Sequence, residues 1–521
     1  MAKSKSATYL ERKGAKLYEK VDVWQGRIAR ILVILLMCVQ PLYLNQDRYI
    51  ALTGHKFWFF FVCMCIVLFG VIVVWTYRLL TKPRLLFQEK LSVVDWAVLG
   101  FAAVTLLSAL MSPFKEFVNV WIGIPEPGGR YDGAITQLMF VSVFLIVSRW
   151  YRPRERDFVI FGFSAIIVAL IGILQFYGMD FLSLWPNHIS QFYAENFYNI
   201  YFRTTLGNIN IVATYVCVAI LLCGFLYVKV SSKWRYVWLA ASALCFWMMI
   251  LASSFSGMVG TAVATALAVP FLLVDKKALG RFFILAASWL AALAVQLFLF
   301  NVRIMESRSA SILLPFAAMI FVLLALGLLL LKFAKEPAPD APVNWRPIII
   351  SIVGAVAVVL LVIEVVGRNE NTAMIYQARE VMHGNIQDTF GSFRIFIWRN
   401  ALSVFSNYPI IGTGPDTFFF AFPMEAHGVF GENYDKAHNE YLQILICQGI
   451  LGLLFYLVFL GGVFIKSITK VFKNPILFAV VAAFVGYCVQ AFFNISLPIA
   501  SQIMWIFAGM MVNKRLWETA A

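Results

Sequence analysis

His438 and Asn439 stand just before a long apolar run, and nine residues separate them from Gly449-Ile450-Leu451-Gly452. Imidazole is the one side chain whose ordinary pKa, about 6.5, lets it take a proton from a hydroxyl near neutrality. A positioned base of this kind contributes roughly 10²–10⁴ in rate. The polar stretch ahead of it carries Arg379, Arg394 and Arg399. A guanidinium keeps its charge and presents five donors in a planar fork, which suits a phosphate or diphosphate. One histidine and several arginines suffice, in principle, to activate a hydroxyl nucleophile and to neutralise a diphosphate leaving group.

Two further polar segments carry candidates. Residues 129–133 read Gly-Arg-Tyr-Asp-Gly and contribute Arg130. Residues 203–210 read Arg-Thr-Thr-Leu-Gly-Asn-Ile-Asn and contribute Arg203, Asn208 and Asn210. Each has a plainer reading: an arginine near a membrane can anchor to headgroups, and Asn208 or Asn210 can cap the helix that follows. In the long polar stretch, a helix is expected to begin within Gly391-Ser392-Phe393-Arg394 and to continue through Trp398, Arg399, Leu402 and Phe405 to Asn407-Tyr408-Pro409, with Ser392 as its cap and Pro409 ending it. Arg394 and Trp398 then share a face, with Arg399 offset. Gly412 and Gly414 read as a turn, and Asp416 as the cap of a second short helix. Phe418, Phe419, Phe420 and Phe422 suit a loop dipping into a membrane interface. No closely spaced acidic pair is present in these loops, so a metal-independent reaction is expected. The competing possibility is that Asp416, Glu432 or Glu440 gathers round an ion in three dimensions. Ser253-Ser254-Phe255-Ser256-Gly257 reads as a break between two helices rather than a nucleophile.

These residues need a scaffold, and the composition names it. The chain has 521 residues, 61% hydrophobic and 13% charged, with mean hydropathy +0.81. That profile is an all-α, polytopic integral membrane protein. The formal net charge of +15 does not point to nucleic acid, because the basic residues fall in short loops between apolar runs. The eight cysteines all lie inside apolar runs, with no disulfide framework and no metal spacing. About thirty mostly polar residues precede the first apolar run, which argues against a cleavable signal.

Apolar runs recur near 29–47, 57–77, 92–112, 134–149, 157–177, 209–230, 236–254, 256–274, 281–301, 311–332, 347–366, 441–465, 475–493 and 499–513. About fourteen transmembrane helices are expected, at roughly 20 residues each. Lys and Arg concentrate in alternate loops, which places both termini in the cytoplasm. Four regions follow: a basic amphipathic N-terminal segment, 1–28; helices 1–11, 29–366; one long extracytoplasmic loop with short helices, 367–440; and helices 12–14 with a short tail, 441–521. No internal repeat is evident, which disfavours a transporter of duplicated halves.

Arg394, Trp398, Pro409, Gly412-x-Gly414, His438-Asn439 and the G-x-x-G occur in that order over 391–452, with weaker support from 203–210. This array resembles the O-antigen ligase and polymerase superfamily. The resemblance implies an inverting, metal-independent glycosyl transfer on the outer face of a bacterial inner membrane, without cofactor. Its donor would be an undecaprenyl-diphosphate-linked glycan. His438 matches the histidine thought to activate the acceptor. Arg394 and Arg203 match arginines that hold the diphosphate, with Arg399 and Arg130 as further candidates. Asn439, Asn208, Asn210, Gly412 and Gly414 would support them. Fourteen spans exceed the twelve usual in lipid A-core ligases, and Leu453-Leu454-Phe455 follows Gly452 instead of Thr-Val. The acceptor therefore stays open: a glycolipid, another carrier-linked glycan as in a polymerase, or a protein hydroxyl. A lipid-linked glycan flippase is the alternative from another class.

Overall fold

A bilayer offers no water to an unpaired amide, so spanning segments close their hydrogen bonds within helices. The computed structural model describes residues 21–46, 52–81, 90–125, 130–184, 204–304, 313–335, 345–370, 373–431 and 433–518. The described residues are all-helical, without strands. Each of the fourteen apolar runs contains a helix. The first, α1, covers residues 21–34 and passes into a π-helical turn at Leu35–Val39. There follow α2 (Leu52–Thr81), α3 (Val93–Met111), α4 (Ala134–Trp150), α5 (Glu155–Phe176), α6 (Ile209–Lys229), α7 (Arg235–Ala252) and α8 (Phe255–Leu272). Next are α9 (Lys276–Ile304), α10 (Leu313–Phe333) and α11 (Trp345–Val366). The long polar stretch holds α12 (Ala373–Met382), α13 (Arg394–Asn407) and the single turn α14 (Phe418–Ala421). The chain ends with α15 (Glu440–Ile468), α16 (Pro475–Ala491), α17 (Gln502–Val512) and the short α18 (Lys514–Glu518).

Ten of these helices are long and apolar enough to cross a membrane, while α4, α16 and α17 are shorter apolar helices. The expected fourteen spans therefore reduce, among the described residues, to ten that meet the length on their own. The N-terminal segment 1–28 lies largely outside the described residues.

Burial separates the helices by role. The membrane-length window of α6 is 100% buried, against 6% in α10 and in α11. A helix apolar all round and enclosed on every side belongs at the centre of a bundle. The two exposed helices are therefore peripheral. Ser253 ends α7 in a left-handed conformation, and α8 starts two residues later, as expected of a helix break.

Far from the histidine, the helices are tied by ion pairs and buried amides. Arg30 meets Asp157 at 2.6 Å, and Asn513 donates to the carbonyls of Val147 and Tyr151. At the other end, α15 breaks its helical dihedrals at Gly449 (φ 68°, ψ −172°). The break frees backbone groups that residues 409–414 then satisfy. Thr413 and Gly414 donate to the carbonyls of Ile446 and Cys447, both at 2.9 Å. Ile450 and Leu451 donate to Pro409 and Ile410 at 2.8 and 3.3 Å.

The crossing is too close for side chains. A Cβ on Gly449 would lie 2.3 Å from the Ile410 carbonyl oxygen, and one on Gly412 would lie 2.4 Å from the Cys447 carbonyl carbon. The two glycines thus join the polar segment to the helix below it. Gly449→Ala would combine an all but glycine-only backbone conformation with that clash, costing about 2 kcal/mol or more. The expected outcome is a clearly lower melting temperature in detergent. An unchanged transition would show that the crossing can open without loss.

Candidate active site

Residues 435–440 are held almost one by one. Asp435 pairs with Arg130 at 2.7 Å. Lys436, 1% exposed, lies 2.9 Å from both Asp132 and Asp416. The Ala437 carbonyl accepts from the Trp398 indole at 2.9 Å, and its amide donates to Gln443 at 2.9 Å. His438 has a left-handed backbone (φ 48°). Asn439 caps α15, its side chain accepting from the Leu442 amide at 3.1 Å. Glu440 is buried and accepts from the hydroxyls of Tyr456 and Tyr487 at 2.5 and 2.8 Å.

This arrangement fixes the imidazole between neighbours of known charge. His438 is half-buried, and its Nδ1 is enclosed without a hydrogen-bond partner among the described residues. Burial, then the charges of Arg394 and Arg130, push the imidazole down to about 3. The ring is therefore neutral near pH 7, the form that can accept a proton. Folding favours that neutral form, so its contribution to stability is complete above the ordinary histidine pKa. It is lost as pH falls through the depressed value.

Arg394 opens α13 after three consecutive left-handed residues, Gly391, Ser392 and Phe393. Phe393, not Ser392, takes the cap position, and no side chain caps the helix. The expected Ser392 cap is thus corrected: a left-handed backbone turns the chain instead. The Phe393 ring stacks on Phe430 at 4.4 Å, which helps to hold this unfavourable conformation. Arg394 donates to the carbonyls of Phe493 at 3.1 Å and of Gly391. Carbonyl partners leave its positive charge uncompensated. Trp398, one turn on, packs against Phe492 and Phe493, so the expected shared face is real.

The second expected cap is also corrected. Asp416 does not cap α14; its Oδ2 accepts from the amides of Ile124, Asp132 and Arg130 at 2.8, 3.2 and 3.3 Å. Its other oxygen takes Lys436. Gly414 lies against Ser112, whose hydroxyl donates to the Thr413 carbonyl at 2.6 Å. A small cavity beside this cluster is lined by Asp132, Asp416, Glu440 and Gln448 together with Ile444 and Trp505.

The structure thus gathers His438, Arg394, Arg130, Asn439, Gly412 and Gly414. Arg399 is exposed and pairs with Asp388 at 2.9 Å, away from this group. Asn208 caps α6 by accepting from the Asn210 amide, and the Asn210 carbonyl accepts from Asn494. Asn494 adjoins Phe493, so the α6 start and the perch of Arg394 share one anchor. Arg203 and Glu432 lie outside the described residues. Sequence reasoning missed Asp132, Lys436 and the Phe493 carbonyl. Asp132 and Lys436 were visible as charges beside motif residues, Arg130 and His438. No sequence signal marks a carbonyl.

Residues 293–457 match the family model described as O-antigen ligase. That match, over about a third of the chain, supports the resemblance to the O-antigen ligase superfamily. The matched segment holds Arg394, Gly412, Gly414, His438 and Asn439, whereas Arg130, Asp132 and Phe493 lie outside it. No curated protein matches the chain.

Burial is the main cause of the depressed imidazole and the two cations add to it, so removing one cation should raise it in part. Arg394→Gln is expected to raise the imidazole pKa, read by NMR of labelled histidine across pH. An unmoved titration would mean that the Arg394 charge does not reach the ring.

Proposed function

We propose that this membrane protein transfers a glycan from a polyprenyl-diphosphate carrier to an acceptor hydroxyl, with inversion and without a metal. The observation that carries the reading is a neutral imidazole flanked by two arginines whose charges act on it. In this reading Arg394 and Arg130 receive the diphosphate, and His438 takes the proton of the acceptor hydroxyl. The acceptor oxygen bonds to the anomeric carbon as the carbon–phosphate oxygen bond breaks. The electron pair leaves with the carrier diphosphate, where the arginines offset its charge.

The depressed imidazole fits this order of events. A bound diphosphate offsets the Arg394 and Arg130 charges, so His438 regains the part of its basicity that they suppress, while burial still holds it down. The base is thereby strongest when it has a substrate to serve. Inversion follows because the displacement is single. Lys436 pairs with both aspartates of the cluster and Arg130 with Asp435, which leaves Arg394, held by carbonyls, as the principal cation for the donor.

Basic loops at the opposite helix ends support a reading with the site on the outer face, residues 367–440 as the extracytoplasmic segment and both termini in the cytoplasm. The site cations lie at helix ends. A carrier protein is expected to hold its ionisable groups near mid-bilayer, so their position favours an enzyme over a flippase.

The test is purified protein with a labelled lipid-diphosphate glycan and candidate hydroxyl acceptors in excess chelator. Transfer is expected to proceed with inverted configuration. His438→Ala should abolish it in protein that still folds and inserts. Arg394→Lys should lose most activity, since lysine keeps the charge but not the fork. Chelator-sensitive turnover restored by Mg²⁺ or Mn²⁺ would move the carboxylates into the mechanism. Near-normal turnover by His438→Ala would remove the histidine from it.

A further inference from the structure

A lysine with no path to water needs a reason to be charged. The Lys436 ammonium lies 2.9 Å from Asp132 Oδ2 and 2.9 Å from Asp416 Oδ1, with both carboxylates nearly enclosed. Burial alone would lower its pKa, but the two carboxylates raise it and keep it protonated. Each partner belongs to a different piece of chain. Asp132 precedes the start of α4 and accepts from Gln137. Asp416 lies in the turn after Gly414 and gathers three amides from residues 124–132. Lys436 itself is two residues before His438.

We propose that Lys436 is a positioning residue for His438, acting as an internal cation that clamps three segments and sets the imidazole against Arg394. The inference rests on the glycan-transfer reading above. An ammonium ion is compact and directs its protons to several acceptors, so it fits between two facing carboxylates. The clamp acts through the backbone. With Lys436 pinned on one side and Asn439 capping α15 on the other, His438 has little freedom to leave its left-handed conformation. Arg130 adds a parallel tie, through Asp435, to the residue just before Lys436. The lysine touches neither donor nor acceptor in this scheme. Its effect is to keep the base within reach of the hydroxyl.

Two variants separate the clamp from simple charge balance. Lys436→Met keeps chain volume but leaves two buried carboxylates facing each other. Lys436→Met with Asp132→Asn removes one of those charges and keeps the shape. The measurements are kcat and KM with a labelled lipid-diphosphate glycan, the melting temperature, and the rate of His438 carbethoxylation without substrate, mapped by mass spectrometry. Both variants are expected to lose about a hundredfold in kcat, the scale of a misplaced catalytic group, with little change in donor KM. Lys436→Met should also melt lower and label faster at His438. The double variant should recover melting temperature without recovering kcat. Recovery of kcat in the double variant, or an unchanged labelling rate in Lys436→Met, would overturn the proposal. If the wild type transfers no glycan, the reading of function fails, and the labelling rate still decides the clamp.

Discussion

A buried charge must be paired, and that demand organises the end of the molecule where His438 lies. Lys436 cannot reach water, so two aspartates are brought to it from segments about 300 residues and 20 residues away. Meeting the demand fixes the segment before α4, the turn after Gly414 and the start of α15 in one geometry. The backbone follows the same logic. Where α15 breaks at Gly449, the freed amides and carbonyls are taken up by residues 409–414 rather than left bare. Ion pairing and backbone pairing thus converge on the same few residues.

The charges of the site do not cancel evenly. Asp132 and Asp416 share Lys436, and Arg130 has Asp435, but the partners of Arg394 are carbonyl groups. A carbonyl orients a guanidinium without neutralising it, so Arg394 is the site cation with no carboxylate partner among the described residues. Burial first, and then the Arg394 and Arg130 charges, hold the imidazole neutral. An anionic ligand beside Arg394 would offset that charge and weaken its effect on His438, which links binding to the protonation of the base.

Much of this was legible in the residues. Apolar runs marked every helix of the bundle, because length and hydropathy are local properties. The helix that begins within 391–394 and ends by Pro409 was readable to within a few residues, as was the break near Ser253. The caps were not. Ser392 and Asp416 have the chemistry of caps, yet the first lies in a left-handed turn and the second serves amides far away in sequence. Likewise Arg399 looks no different in sequence from Arg394, but a helix displays them on different faces, and only Arg394 reaches Phe493. Partners separated by hundreds of residues leave no trace in spacing.

The candidate site also shows why a local match captures only part of the machinery. The O-antigen ligase match spans residues 293–457 and so includes α10 and α11, the helices least enclosed by the rest. It excludes α6, the most enclosed. Arg130 and Asp132 come from before it, and Phe493 with its neighbour Asn494 from after it. Asn494, fully buried, donates across to the Asn210 carbonyl and to Ser256, near the starts of α6 and α8. The rigid centre therefore reaches the site through the end of α16, while the histidine arrives on the peripheral polar segment. Positioning is shared between a packed core that holds Arg394 from below and an ion cluster that holds His438 from beside it.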